Sequence, residues 1–212
     1  MTAPRQQVRI TPDSPLYPAG VRSAFTTLPT LIAIGDPAIL LRPSLAFLCS
    51  VRCPGSIILA AYDLAIALRD AGIPVIGGFH SPMERECLRL LLRGSQPVIL
   101  CPARDIARMR LPAAWRAPIE QGRLLILSPF DNAPRLTAAT ALTRNRFAAA
   151  LATAVFAAYA SPGGKIEALT SEIVTWGKPL FTLEDDHNAS LLALGARPVR
   201  PAGVATLWPL VV

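Results

Sequence analysis

Arginine, glycine and serine recur in short groups along the chain, and together they have the chemistry of a phosphate site. Guanidinium groups bind phosphate oxygens through a rigid fork of donors, and glycine-rich turns before helices bring backbone amides close to an anion. Carboxylates are almost absent from these groups. The candidate phosphate-binding residues are Ser50, Arg52, Gly77, Gly78, His80, Arg104, Arg144, Asn145, Arg146, Ser161, Gly163, Gly164 and Lys165.

The elements that must position these residues follow from the alternation of short apolar runs with helix-like stretches. Strands are predicted at 45–50, 73–78, 96–102, 122–129, 153–160 and 178–183. Helices are predicted at 55–72, 81–94, 137–151, 164–177 and 188–196. Repeated strand–helix–strand units predict an α/β fold: a doubly wound, mainly parallel, Rossmann-like sheet with helices on both faces.

In open parallel sheets, ligands bind beyond the carboxyl ends of the strands, and most of the candidates follow predicted strands. Arg144 and Arg146 leave two alternatives open. If the helix that contains them, predicted at 137–151, begins beside the two arginines, two cations occupy its positive end, which destabilises the helix unless an anion is bound. If it begins at Thr137, the two arginines lie in its middle and extend toward solvent.

The composition favours a globular protein with a large apolar core and an anionic partner. Hydrophobic residues make up 52% of the 212 residues, the net charge is +7, and all but two of the 21 basic residues are arginine. A basic excess favours nucleic acid, although arginine-rich composition also arises from codon usage alone. The longest apolar runs are too short to span a membrane and the first residues lack a signal-peptide pattern, so we expect a cytoplasmic protein without membrane contact.

Several site classes are excluded or disfavoured. The chain lacks the dinucleotide fingerprint, the P-loop and the serine-hydrolase elbow. The four cysteines, Cys49, Cys53, Cys87 and Cys101, are expected to be buried free thiols, because only two histidines are present and neither has ligand spacing. We therefore expect no metal, no cofactor and no catalytic residue. His80 follows a strand end and is a candidate for ligand contact or, less strongly, for acid–base chemistry.

The expected organisation is a single Rossmann-like domain at 41–200. Residues 1–40 are interpreted as an arm packed on that domain, and residues 201–212 as a tail. The apolar run at 203–212 suggests an edge strand that pairs with a partner, which makes a homodimer possible.

The loops resemble those of the DNA-processing protein A (DprA/Smf) family. Matching positions include Tyr17-Pro18, Gly35-Asp36 and Leu40-Leu41, followed by a strand that ends in Ser50 with an arginine nearby. The block "TRNRFAAALATAVFAAYASPGGK" is similar to the family's Arg-Asn-Arg and serine–glycine segments, and "NASLLALGARPV" resembles its closing segment. The resemblance covers roughly residues 10–200 in order.

This resemblance implies a protein that binds single-stranded DNA and hands it to a RecA-type recombinase in DNA uptake or recombination. It implies DNA contacts by Ser50 with Arg52, by the block 144–146, and by Ser161, Gly163 and Gly164. Lys165 joins the set because of its charge and position. The family's Gly-Ser-Arg is "CSVRC" in this chain, so the arginine is displaced by one residue.

Two alternatives have a different ligand. A nucleotide sensor would use the same residues for a mononucleotide, with His80 and Arg104 as specificity groups. A nucleoside-monophosphate phosphoribohydrolase is disfavoured, because Ile166 and Glu167 replace its Gly-Thr and Thr170 replaces its catalytic glutamate.

Overall fold

A computed structural model of the chain describes residues 7–131 and 135–208 and contains one nine-stranded sheet. The strand order is β1-β2-β6-β5-β4-β3-β7-β8-β9. The strands are β1 (Gln7–Ile10), β2 (Leu31–Ile34), β3 (Leu45–Cys49), β4 (Val75–Gly77), β5 (Val98–Leu100), β6 (Leu124–Ser128), β7 (Ala154–Tyr159), β8 (Leu180–Leu183) and β9 (Arg197–Val199). The helices are α1 (Ala19–Ala24), α2 (Gly55–Asp70), α3 (Pro82–Leu91), α4 (Arg116–Glu120), α5 (Ala138–Leu151), α6 (Lys165–Thr175), α7 (Ala189–Ala193) and α8 (Val204–Leu207).

The predicted doubly wound, Rossmann-like α/β fold is confirmed. The six predicted strands are β3 to β8, and from β6 across to β9 every neighbouring pair is parallel. The chain winds from β3 through β4 and β5 to β6 on one side, then crosses to β7, β8 and β9 on the other. The topological switch point therefore lies between β3 and β7, where a ligand is expected in folds of this kind.

Both ends of the chain differ from the sequence-based interpretation. Residues 7–10 and 31–34 do not lie over the domain as an arm, because β1 and β2 extend the sheet as antiparallel strands beside β6. At the other end, β9 takes the sheet edge, and 201–207 forms a short 3₁₀ turn followed by α8 instead of an edge strand. The rest of that predicted strand, 209–212, lies outside the described residues.

Two apolar clusters, one on each face of the sheet, hold the helices against it. Within β3, Leu45, Phe47 and Cys49 face the cluster covered by α2, α3 and α8, while Ala46 and Leu48 face the cluster covered by α1, α5, α6 and α7. This alternation is the two-residue period of a strand, and burial on both faces explains the continuous apolar runs in the sequence.

All four cysteines are free, as expected, although Cys53 is only half-buried. Within 7–131 and 135–208, no three potential ligands lie close enough to hold a metal ion. Over the same residues, no helix has the length and apolar character to cross a bilayer.

Candidate functional site

The loops that follow β3 and β7 are joined at the switch point. The Ser161 amide donates to Ser50 Oγ at 2.9 Å, and the Ser50 amide donates to the Tyr159 carbonyl at 2.9 Å. Because β4 is the other neighbour of β3, the loop after β4 lies at the same edge. We call this edge, formed by loops 50–54, 78–81 and 161–165, the rim.

The turn after β7 requires its glycines. Gly163 has a φ of 67°, in the left-handed region that glycine enters without strain, and a Cβ on Gly164 would lie 2.7 Å from the Ser161 carbonyl oxygen. The Gly163 amide already has a partner, since it donates to a Glu167 carboxylate oxygen at 2.7 Å. Lys165, the first residue of α6, is exposed at this point.

The loop after β4 is compact and strained. Phe79 has a φ of 45°, which is costly for a residue with a side chain, and its ring stacks on Phe47 with centroids 6.5 Å apart. A Cβ on Gly77 would lie 3.0 Å from the Phe79 ring, so a larger residue there would push against that ring. Backbone strain held by buried packing is frequent at functional sites.

The amides at the start of α3 are also occupied. The Glu84 carboxylate accepts from the His80 amide at 3.2 Å and from the Ser81 amide at 2.9 Å, and Ser81 completes a capping box. The His80 side chain is exposed, and its pKa is lowered by burial and by the charges of Arg144 and Arg85. The imidazole is therefore mainly neutral at pH 7.

The amino terminus of α2, in contrast, has no internal cap. Its N-cap residue is Pro54, which offers no side-chain acceptor, and no acidic residue stands in its first turn. Gly55 and Ser56 are exposed there beside Arg52, while the Ser56 hydroxyl faces the Asp185 carboxylate. An uncapped helix start favours an anion, and the Asp185 carboxylate of the chain itself already stands beside this one. The sequence signal for it is Cys-Pro-Gly, with no serine, threonine or aspartate at the capping position.

Arg144 is a buried cation without a carboxylate partner among the described residues. Its side chain is 4% exposed, Nη1 donates to the Cys101 carbonyl at 3.2 Å, and Nε has no hydrogen-bond partner. Burial lowers its pKa, and the charge of the nearby Glu84 carboxylate opposes that effect without forming an ion pair. Its guanidinium lies directly against Gly78, where any Cβ would overlap it.

The start of α5 decides between the two alternatives for this helix. Thr137 is the N-cap and forms a capping box with Thr140, so Arg144 and Arg146 lie within the helix and not at its positive end. Residues two apart on a helix point in different directions, and the two arginines accordingly have different surroundings. Asn145, between them, is half-buried.

Arg146 does not join the rim. Its guanidinium pairs with Glu172 of α6 at 2.6 Å and lies 4.8 Å from the Phe25 ring centre and 5.8 Å from that of Trp176. These contacts stabilise the packing of α5 against α1 and α6. The expectation that both arginines contact one anion is therefore not met by this geometry.

The remaining candidate, Arg104, is exposed in the loop after β5, one strand beyond β4. Its carbonyl accepts from Ser128 Oγ at 2.7 Å, which ties this loop to the end of β6. The structure thus brings together Ser50, Arg52, Gly77, Gly78, His80, Ser161, Gly163, Gly164 and Lys165, with Arg144 beneath them, Arg104 beside them and Arg146 on another side of α5.

The family model for DNA recombination-mediator protein A matches residues 8–190. The chain belongs to this family. It is accordingly a DNA-processing protein that acts in recombination. Proteins of this family bind DNA and are not enzymes. No significant match to a curated protein was found.

Solved structures of the family share this fold. DNA processing protein A from Streptococcus pneumoniae is 16% identical with a TM-score of 0.78, over 96% of this chain and 74% of that one. DNA processing protein A from Helicobacter pylori, described with its single-stranded DNA binding mode, is 19% identical with a TM-score of 0.77, over 99% of both chains. A similar fold also occurs in the molybdenum cofactor binding protein from Rippkaea orientalis, which is 12% identical with a TM-score of 0.57, over 80% of this chain and 96% of that one.

Proposed function

We propose that this protein binds single-stranded DNA along the rim, through phosphate contacts, and delivers the strand to a RecA-type recombinase. The observation that carries the proposal is Arg144, a buried guanidinium with one hydrogen bond and no carboxylate partner in 7–131 and 135–208. Burying an unpaired cation destabilises a fold, so such a residue is expected where an anion completes the site.

The exposed cations supply the direct contacts in this proposal. Arg52 and Lys165 extend from the two loops at the switch point, and Arg104 continues the positive edge past β4. The amides of Gly163 and His80 are held by carboxylates, and Asp185 already faces the start of α2 at Ser56, so the arginine and lysine side chains are left to bind phosphate. The relative from Helicobacter pylori, whose structure was described for its single-stranded DNA binding, supports single-stranded DNA as the ligand in this proposal.

The acidic residues after β8, Glu184 and Asp185, limit the path of the DNA on the β8 side of the rim. Glu184 pairs with Arg200, and Asp185 accepts from the His187 amide at 2.9 Å, so these carboxylates are fixed in place. A phosphate backbone is repelled there, and the strand is therefore expected to run from β7 across β3 and β4 toward β5.

The proposal is tested by fluorescence anisotropy with a labelled single strand of about 30 nucleotides over a range of salt concentrations. Three exposed cations that each neutralise one phosphate predict a log–log salt slope of about −2, from about −0.7 per phosphate. Arg52→Ala/Lys165→Ala is expected to reduce the slope to about −0.7 and to weaken binding. Arg42→Ala is the matched control, because this exposed arginine precedes β3, at the opposite edge of the sheet.

The outcomes are distinct. A folded protein that binds no strand, or an Arg42→Ala variant that weakens binding as much as the double variant, overturns the proposal. Saturable binding of a mononucleotide with little salt dependence and no binding of the strand would favour the nucleotide-sensor alternative. The delivery step is tested separately, by asking whether the strand-loaded protein speeds assembly of a RecA-type recombinase; no acceleration overturns that part alone.

A further inference from the structure

Two cysteines enclose the loop that carries Ser50 and Arg52. Cys49 is the last residue of β3, and Cys53 stands two residues before the first residue of α2. Cys49 is 6% exposed, whereas Cys53 is half-buried and therefore accessible to a small reagent. Both side chains pack in the apolar cluster between β3 and α2, so the strand end and the helix start bring the two sulfur atoms to the same side of the loop.

The two thiols are in contact and differ in character. The neighbouring Cys49 thiol lowers the pKa of Cys53 to about 7, against the opposing effects of burial and of Glu84. The same contact, together with burial, raises the pKa of Cys49. Of the other groups near Cys53, Cys87 on α3 and Tyr62 on α2 both have raised pKa values and are uncharged at pH 7. The start of α2 also favours a thiolate at Cys53.

We propose that Cys49 and Cys53 are a redox-active pair that forms a reversible disulfide when the protein meets hydrogen peroxide. The Cys53 thiolate attacks one peroxide oxygen, the O–O bond breaks, and the departing hydroxide takes a proton to leave as water. The sulfenic acid on Cys53 is then attacked by the Cys49 sulfur, which releases its proton and a second water as the S–S bond forms. The peroxide gains the two electrons that the thiol pair loses.

This bond would close across Ser50, Val51 and Arg52, so the oxidation state of the pair is coupled to a loop of the rim. The disulfide itself does not depend on the proposed function, because its formation requires only the two sulfur atoms and the oxidant. A failure of DNA binding therefore leaves this inference standing, and a failure of the disulfide leaves the DNA proposal standing.

The chain contains its own controls and a convenient cleavage site. Cys87 and Cys101 are fully buried, and burial raises the pKa of both thiols to about 12, so neither is expected to react in the folded protein. Arg52 lies between Cys49 and Cys53, and trypsin cuts after arginine. A disulfide therefore holds together two tryptic peptides that are otherwise separate.

The experiment treats the folded protein with a small excess of hydrogen peroxide, blocks the remaining thiols in denaturant, and identifies tryptic peptides by mass spectrometry. We expect two of the four cysteines to escape blocking, a linked pair of peptides containing Cys49 and Cys53, and its separation by dithiothreitol. Cys53→Ser should prevent the reaction, whereas Cys49→Ser should stop it at an oxidised Cys53. Four blocked cysteines in the wild type, or a Cys53 sulfinic acid without any linked peptide, would overturn the inference.

Discussion

Replacing Arg144 with methionine should weaken DNA binding without lowering the stability of the fold. In the folded protein this guanidinium is 4% exposed and has one hydrogen bond, to the Cys101 carbonyl. Its desolvation costs several kcal/mol, whereas that bond returns about 1.5–3 kcal/mol. Methionine fills a similar volume without the charge, so we expect the free energy of unfolding to stay within about 1 kcal/mol of the wild type, or to rise.

The same change should weaken DNA binding strongly. The guanidinium lies against Gly78. For a phosphate on the outer side of that loop, taken at a separation of about 6 Å, an effective dielectric constant of about 20 gives an attraction of about 2.8 kcal/mol. That energy corresponds to about a 100-fold rise in Kd. The salt slope should also become shallower, because the field that holds the phosphate is reduced.

Arg146→Met is the control in the same helix. It removes a partly exposed ion pair with Glu172 and two contacts with the rings of Phe25 and Trp176, which together contribute about 1–3 kcal/mol to stability. We expect lower stability and a Kd within about twofold of the wild type, since loss of this residue leaves the rim unchanged.

Urea denaturation and anisotropy titration of both variants measure the two quantities on the same preparations. The reasoning is wrong if Arg144→Met leaves DNA affinity unchanged, or if Arg146→Met weakens binding as much as Arg144→Met does. It is also wrong if Arg144→Met costs more than about 3 kcal/mol of stability, because the buried cation would then be structural.

Three further predictions each concern a single side chain or glycine. Glu167→Gln removes the charge that competes for the Gly163 amide, so we expect DNA to bind about 3- to 10-fold more tightly by anisotropy. Gly78→Ala places a Cβ where the Arg144 guanidinium lies and displaces it from the Cys101 carbonyl, so we expect a loss of about 1 kcal/mol in urea denaturation together with weaker DNA binding. Burial lowers the pKa of Lys178 to about 8. Since the unfolded chain then binds the extra proton between pH 8 and 10.5, wild-type stability should rise with pH there, and Lys178→Met should remove that contribution.

Each of these expectations has an opposing result. Unchanged or weaker DNA binding by Glu167→Gln would show that this carboxylate organises the turn instead of competing with phosphate. Gly203→Ala, where a Cβ meets no atom of residues 7–131 and 135–208 within 4 Å, is the control for Gly78→Ala, and equal losses in both would refute the overlap with Arg144. An identical pH dependence of stability in wild type and Lys178→Met would contradict the effect of burial on that amine.

The central sheet could be predicted from the sequence because its strands are buried on both faces. Segments such as 45–49 and 154–159 are continuous apolar runs between helices, and that pattern leaves few topologies. β1 and β2 escaped detection because they are antiparallel strands of only four residues each, among prolines and polar residues, and β1 lies at the edge of the sheet. β9, with Arg197 and Pro198 exposed, has no apolar run at all.

The candidate site could be predicted only in part. Strand ends can be read from the pattern, so the loops at Ser50, His80 and Ser161 were found together with the edge they share. The surroundings of a side chain within a helix cannot be read in this way, so Arg144 and Arg146 looked equivalent although one is buried beside Gly78 and the other pairs with α6. The carboxylates of Glu84 and Glu167 on nearby amides depend on side-chain conformations that the sequence does not determine.

Photo-crosslinking tests the central claim most directly, because it locates the strand on the protein surface. A single strand that carries a photoreactive thymine analogue is irradiated with the wild-type protein, and the crosslinked peptides are identified by mass spectrometry. We predict crosslinks to the three loops of the rim, 50–54, 78–81 and 161–165, and their loss in high salt. Crosslinks confined to the opposite edge of the sheet, around Arg42 and the start of β3, would contradict the account.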